Sequence, residues 1–240
     1  SLTARLRRDS NPLGFINNLL TECSVGRNVE LLRYLNGDAL SNFPKLRDGM
    51  HRDHAAQFRD RLKWEVQVDA AGFERDQYDD LNPLYVIWEM PDGTHGGSMR
   101  FLPTSGRTMV HEHFPTLLGG ADIRSDHIWE CTRFCIAKGA GANVAAALML
   151  AGGELMRAFE LTHLLGVFDA RMVRIYKMIG ASPQVLGSSG EGRDKISVGL
   201  WQFIHTDRAK VLRRAGVSSD MSEYWFKRSL GHAIKRSIAA

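Results

Sequence analysis

The chain reads as a mixed α/β domain: three layers, with helices on both faces of a mostly antiparallel sheet, preceded by a helical N-terminal extension. Three observations predict this. The strand-like runs Leu84–Met90, Ser98–Leu102 and His127–Ala137 follow one another closely. The turn signal Pro91-Asp92-Gly93 makes a hairpin of the first two. A long segment rich in Ala, Leu and Met over 141–163 then leads into the apolar run Leu164–Phe168, the order of a crossover helix and a parallel strand.

The remaining elements follow in order. Residues 1–45 form the extension and residues 46–240 the main domain. Within the extension, Phe15–Leu20 and Val29–Leu35 have helix-compatible spacing, and Asn36-Gly37 closes the second helix. Asn42-Phe43-Pro44 breaks that pattern. Over 48–63, Met50, Phe58 and Leu62 recur at helical intervals among charges, and residues 64–82 are acidic and irregular. Phe114–Leu118 reads as a short helix. Gly152-Gly153 weakens the middle of the long helix. Residues 170–179 form a helix ended by Gly180. Val185-Leu186 and Ile196–Ile204 are late strands, and Thr206-Asp207 and Ser222-Glu223 begin the last two helices.

Composition bounds the function. An apolar fraction of 44% supports a real core. No apolar run reaches the roughly 18 residues of a membrane span, so no membrane partner is expected. Ser1–Arg8 lacks the apolar core of a signal peptide. Cys23, Cys131 and Cys135 are odd in number and lack metal spacing, which favours a reducing cytoplasm. The nine histidines show no ligand spacing either, so no metal is expected, and His111-Glu112-His113 reads as a surface turn. Residues 151–240 carry 14 Lys+Arg against 8 Asp+Glu, which suits an acidic partner. No zinc-finger, phosphate-loop or basic–aromatic pattern points to nucleic acid.

The chemistry lies in four blocks. Gly97–Thr104 and Trp129–Phe134 place Arg100, Glu130 and Arg133 inside strand-like runs. A buried charge is costly unless it is paired or used. Before them come Phe58 with Trp64, and then Glu74–Asp79. In this order and spacing, over roughly residues 46–205, the four blocks resemble the acyl-homoserine lactone synthases, the bacterial autoinducer synthases.

The resemblance implies an acetyltransferase-like sandwich and a two-step reaction. S-adenosylmethionine is acylated on its amine by a fatty acyl thioester, carried on acyl carrier protein or coenzyme A. Its carboxylate then closes a lactone, and methylthioadenosine leaves. Both are substrates, and no tightly bound cofactor is implied.

The residue types suit that chemistry. Phe58 and Trp64 offer cation–π and stacking surfaces. Asp76 and Asp79 can hold cationic groups, or cap the turn that follows them. Arg100 and Arg133 can hold a carboxylate. Phe101 and Phe134 complete the expected S-adenosylmethionine site. Glu130 is the expected base for the amine. Cys131 and Cys135 read as small core residues rather than nucleophiles.

Glu130 and Arg133 lie three apart, so an ideal strand sends them to opposite faces. Sharing one site requires a β-bulge between them. Where the family usually has an Arg, four residues before Phe58, this chain has His54, with Arg52 nearby. Either Arg52 reaches the site through a shifted helix start, or His54 takes the role and makes it sensitive to pH.

The acyl pocket is expected between the sheet and the long helix, from Met149, Leu165, Gly166, Val167, Met172 and Ile175. Gly166 falls where members using 3-oxo chains often have a Thr, which favours an unsubstituted or bulky acyl group. Arg171, Arg174 and Lys177 share one helix face and, with Arg157, are the expected docking patch for the anionic acyl donor. The extension either covers part of the site or makes a homo-oligomer contact. Two rivals remain: an N-acyltransferase acting on another amine, which would not need the Phe58/Trp64 and Asp76/Asp79 set, and a non-catalytic binding module, which would tolerate Glu130→Gln.

Overall fold

The computed structural model describes residues 31–202 and 205–238. The helix expected over Phe15–Leu20, and Ile204 at the end of the last expected strand, lie outside them.

Seven strands form one sheet in the order β1-β2-β3-β4-β5-β7-β6. They are β1 (Leu31–Asn36), β2 (Leu84–Glu89), β3 (His95–Pro103), β4 (Ile128–Ile136), β5 (His163–Asp169), β6 (Gln184–Ser189) and β7 (Ile196–Gln202). Every pairing is antiparallel except β4 with β5. The helices are α1 (Pro44–His54), α2 (Met109–His113), α3 (Val144–Ala158), α4 (Ala170–Ile179), α5 (His205–Ala215) and α6 (Ser219–Ile238). Helix α3 is the crossover between the two parallel strands, as the sequence predicts.

The first expectation to fail is the helix over Val29–Leu35. Residues Leu31–Asn36 are instead strand β1, antiparallel to β2. Leu32 and Tyr34 point into the core, while Arg33 between them pairs with Glu89. The leucine spacing fits a helix or a strand, and the free edge of β2 decides. The sheet therefore begins well before residue 46. Residues Pro44–His54 belong to the layer packed on it.

Several elements are set by local chemistry. Pro44 sits in the first turn of α1, where its missing N–H costs nothing. Asp169 caps α4 by accepting from Arg171 N, and Gly180 ends that helix with φ +91°. Ser218 Oγ accepts from Met221 N, so the last helix starts at Ser219, ahead of the expected Ser222.

The main core lies between one sheet face and α3, α5 and α6. It includes Met99, Phe101, Leu148, Leu155 and Trp225. Burying each large apolar side chain is worth roughly 1.5–3 kcal/mol. Val144 at the start of α3 packs where a Cβ on Gly97 would lie 2.8 Å from it, so a larger residue there would push α3 off the sheet. Two smaller clusters cover the opposite face: Met50 with Tyr85 and Ile87 under α1, and Val110 with Leu165 and Val198 under α2.

Candidate active site

The expected bulge is present. Ser98 pairs with Cys135 and Arg100 with Thr132, so Arg133 and Phe134 together oppose Met99. Arg133 carries the distortion, with φ +53°, in the left-handed region that is unusual for a non-glycine residue. Glu130, Thr132 and Arg133 thereby share one face. Cys131, Phe134 and Ile136 pack into the main core on the other.

That polar face holds a cluster of five charges. Arg100, 1% exposed, donates from Nη1 to Asp76 (2.6 Å) and Asp79 (2.8 Å), from Nη2 to Asp76 (3.0 Å), and from Nε to Thr132 (3.1 Å). Arg133 forms a two-pronged pair with Glu74, at 3.1 and 2.6 Å, and its Nη2 also lies 2.7 Å from Asp76. Burial alone would raise the Asp79 carboxyl, but Arg100, the Tyr85 hydroxyl and the Asp76 N–H outweigh it and hold it at about 2. Burial likewise disfavours ionised Glu74, and contacts from His54 and Arg133 keep it below the ordinary range. Three carboxylates against two guanidiniums leave the cluster one negative charge in excess. A cationic ligand would complete it.

Arg100 is therefore not free to hold a carboxylate, as the sequence suggested. Three of its five N–H bonds are spent on orienting Asp76 and Asp79, and a fourth goes to Thr132. Those two acids also take the capping role: Asp76 accepts from Tyr78 N, and Asp79 accepts from Asp76 N. Arg133 keeps Nη1 unspent among the described residues, and its guanidinium lies 5.1 Å over the Phe58 ring.

Phe58 and Trp64 stack at 5.4 Å and 17°. On a regular helix, residues six apart point in different directions. Here α1 continues as a π-helical turn over Ala55–Arg61, Lys63 takes φ +59°, and Trp64 N returns to donate to Phe58 O. Such wide turns often occur at functional sites.

Glu130, 1% exposed, is pushed up to about 7 by burial, against the opposing N–H groups of Val110 and Met109 and the charge of Arg100. Those N–H groups donate from 2.6 and 3.1 Å and come from the first turn of α2. The expected turn at His111–His113 is thus part of a short helix, and its start is tied to Glu130. Cys131 and Cys135 are core residues as expected: burial pushes the Cys131 thiol up to about 12 and the Cys135 thiol higher.

Of His54 and Arg52, it is His54 that lies beside the cluster. It is 2% exposed, with Nε2 3.1 Å from Ser98 Oγ and Nδ1 3.5 Å from Glu74. Burial pushes its pKa down to about 4, so it stays neutral near pH 7. Arg52 is exposed and lies over the Phe73 ring, away from this cluster.

Two of the expected site residues fall on the wrong face. Phe101 is buried in the main core, because alternation along β3 points it away from Arg100. Phe134 packs against the same core beyond the bulge. It does, however, line a cavity of about 260 Å³.

That cavity opens where β4 and β5 part. The two strands pair only from Ile128↔His163 to Cys131↔Gly166. Beyond that, Thr132, Arg133 and Phe134 line one side and Val167 the other, with Met149, Gly152, Gly153 and Met156 of α3 above and Tyr176 and Trp201 around it. Of the expected acyl-pocket residues, Met149, Gly166 and Val167 are on its wall. Leu165 is not, since strand alternation turns it into the cluster with Val110. Met172 and Ile175 of α4 also lie off the wall, because that helix meets the cavity through Tyr176 and its end at Gly180. Both residues of the double glycine that weakened the helix pattern line the cavity.

The basic patch is divided. Arg157 is held by Glu154 and Glu223, and Arg171 by Asp169. Arg174 and Lys177 are exposed and have no acidic partner among the described residues. Sequence reasoning missed Glu74 as a site residue, although it stands two positions before Asp76 in the same acidic run. It also missed Thr132, Tyr85 and Ser98, whose neutral side chains give no pattern signal.

Residues 39–215 match the family model described as autoinducer synthase. An acyl-homoserine-lactone synthase of Rhizobium etli is 38% identical over 190 residues, covering 76% of this chain and 89% of the relative. One from Agrobacterium fabrum is 35% identical over 147 residues, covering 58% and 69%. Among solved structures, the synthase LasI superposes with TM-score 0.68 at 24% identity, covering 78% of this chain and 95% of that one. The CoA-dependent acyl-homoserine lactone synthase BjaI, solved with SAM and isopentyl-CoA, superposes with TM-score 0.69 at 18% identity, covering 80% and 92%.

Proposed function

The chain belongs to the autoinducer synthase family, and from that premise we propose how its parts divide the reaction. It is an acyl-homoserine lactone synthase, an acyltransferase that joins S-adenosylmethionine to an acyl thioester. The excess negative charge of the Glu74–Asp76–Asp79–Arg100–Arg133 cluster is the observation that carries the assignment. S-adenosylmethionine bears a sulfonium, an ammonium and a carboxylate, for a net charge of +1, and complements it.

In this reading Asp76 and Asp79, fixed by Arg100, attract the cationic groups. The free Nη1 of Arg133 takes the carboxylate, and the Phe58–Trp64 stack bears on the sulfonium or the adenine. Glu130, with a pKa near 7, accepts the ammonium proton. The amine attacks the thioester carbon, and the carbon–sulfur bond breaks to release the thiol. The carboxylate oxygen then attacks the carbon next to the sulfonium, closing the lactone and releasing neutral methylthioadenosine. The acyl chain occupies the cavity between β4/β5 and α3, and Arg174 and Lys177 attract the anionic carrier of the thioester. We place the enzyme in the cytoplasm, where both substrates occur. No helix among the described residues is long and apolar enough to cross a membrane.

The test is mass spectrometry after mixing the protein with S-adenosylmethionine and panels of acyl-coenzyme A and acyl-carrier-protein donors. An acylated lactone with stoichiometric methylthioadenosine supports the reading and identifies the donor. Acyl transfer to another amine without methylthioadenosine would favour a general N-acyltransferase.

A further inference from the structure

A second line of buried polar groups, not used in the reaction above, runs from α1 across β3 to the acid that grips Arg133. His95 places Nδ1 2.6 Å from Asp53 Oδ2 and Nε2 2.9 Å from Ser98 Oγ. The same hydroxyl lies 3.1 Å from His54 Nε2. His54 Nδ1 lies 3.5 Å from Glu74 Oε2, and Glu74 receives both prongs of Arg133. The ring of His95 is fully buried, as is Ser98. Asp53, with its side chain 31% exposed, is the link to solvent.

Counting hydrogens gives this chain two states. A hydroxyl has one hydrogen, so Ser98 donates to one imidazole and accepts from the other. The short contact with the Asp53 carboxylate requires a proton on His95 Nδ1. With His95 neutral, its bare Nε2 takes the Ser98 hydrogen and Ser98 accepts from His54 Nε2–H. His54 then turns a bare Nδ1 toward Glu74. With one more proton, His95 Nε2–H donates to Ser98, Ser98 donates to His54 Nε2, and His54 Nδ1–H donates to Glu74. One proton entering at Asp53 reverses the whole sequence, and no bond between heavy atoms changes. His54 is neutral in both states. The other titratable neighbours are His51, whose ring is 6.0 Å from that of His54, and the Cys135 thiol on β4, which burial keeps protonated.

We propose that Asp53, His95, Ser98 and His54 form a hydrogen-bond relay that reports the protonation of His95 to Glu74 and thereby sets how firmly Arg133 is held for the substrate carboxylate. The proposal rests on the reading of the Arg133 cluster as the S-adenosylmethionine site. All four are positioning residues, acting through Glu74. In the protonated state Glu74 gains a third donor and Arg133 is firmly seated. In the neutral state that donor is withdrawn.

The relay is tested by nitrogen-15 NMR of the histidine rings in substrate-free protein from pH 5.5 to 9. His54 should move its proton from Nδ1 to Nε2 at the pH where His95 becomes neutral. Asp53→Asn, which removes the carboxylate that accepts from His95 Nδ1, should move both events together. In turnover assays the KM for S-adenosylmethionine should rise about tenfold across the same range, separately from the rise in kcat as Glu130 ionises. Ser98→Ala should flatten that rise. A His54 that keeps one tautomer throughout, or a pH-dependent KM that survives Ser98→Ala, overturns the relay. Wild-type protein that releases no methylthioadenosine would instead overturn the function reading, and the NMR result, obtained without substrate, stands apart from it.

Discussion

Glu130 and Arg133 stand three residues apart on β4 and face the same side of the sheet, because Arg133 adopts a left-handed backbone conformation at the bulge. The single distortion brings a carboxyl with a pKa near 7 and a guanidinium into one site. Each can be tested separately.

Glu130→Gln removes the base. The kcat should fall roughly 100- to 10,000-fold. In the wild type, kcat at saturating substrate should rise with pH through about 7 as the carboxyl ionises. Stability runs the other way. The folded pKa lies above the ordinary 4.5, so the native state holds the proton more tightly. The Glu130 contribution to stability is then greatest below pH 4.5, declines as pH rises toward 7 by up to roughly 3 kcal/mol, and is flat above. Chemical denaturation at pH 5 and pH 8 should show this slope in the wild type and not in Glu130→Gln.

Arg133→Lys keeps the charge and loses the forked pair with Glu74. The KM for S-adenosylmethionine should rise about tenfold or more while the KM for the acyl donor stays within about twofold. Steady-state kinetics varying each substrate in turn would show it, and equal effects on both would place Arg133 elsewhere.

Gly152→Val narrows the acyl cavity. A Cβ at this position meets Leu164 Cδ1 at 3.3 Å, so added methyls project where the wall is already close. The lactones formed from a mixture of donors should shift to shorter chains. An unchanged product profile would argue against acyl binding in this cavity. The wild-type profile should not be dominated by 3-oxo chains, since Gly166 offers no hydroxyl.

Arg174→Glu combined with Lys177→Glu reverses the unpaired part of the basic patch. The KM for the acyl donor should rise several-fold, more at low salt than at high salt, and that for S-adenosylmethionine should not change.

Glu154→Ala tests stability away from the chemistry. Glu154, 2% exposed, accepts from Arg157, Arg208 and Ser222 and ties α3 to α5 and α6. Its removal leaves Arg208 without its acid and should cost about 3–5 kcal/mol. For a chain of this size the thermal midpoint should fall by about 10 °C.

Much of this was legible in the sequence because the relevant signals are local. The hairpin follows from Pro91-Asp92-Gly93, and the need for a bulge follows from placing two charges three apart in one strand. The polar cluster announced itself through charges in apolar runs. What stayed hidden depended on partners distant in sequence. Leu31–Asn36 became a strand because β2 had an open edge. Arg100 looked like a ligand-binding cation, and only its contacts with Asp76 and Asp79 reveal it as their anchor. Phe101 has the same alternation as any core residue, so nothing local marked its face. The relay from Asp53 to Glu74 joins α1, β3 and the loop after α1, and no spacing rule links such positions.

The parting of β4 and β5 has an evolutionary consequence. The polar cluster occupies one side of the sheet and the cavity the other, and they meet only at that gap. On the proposed assignment, substitutions in α3 can therefore reshape the acyl chain accepted without touching the groups assigned to the common precursor. A lineage can change the dialect of its signal one wall residue at a time while the chemistry that writes it stays intact.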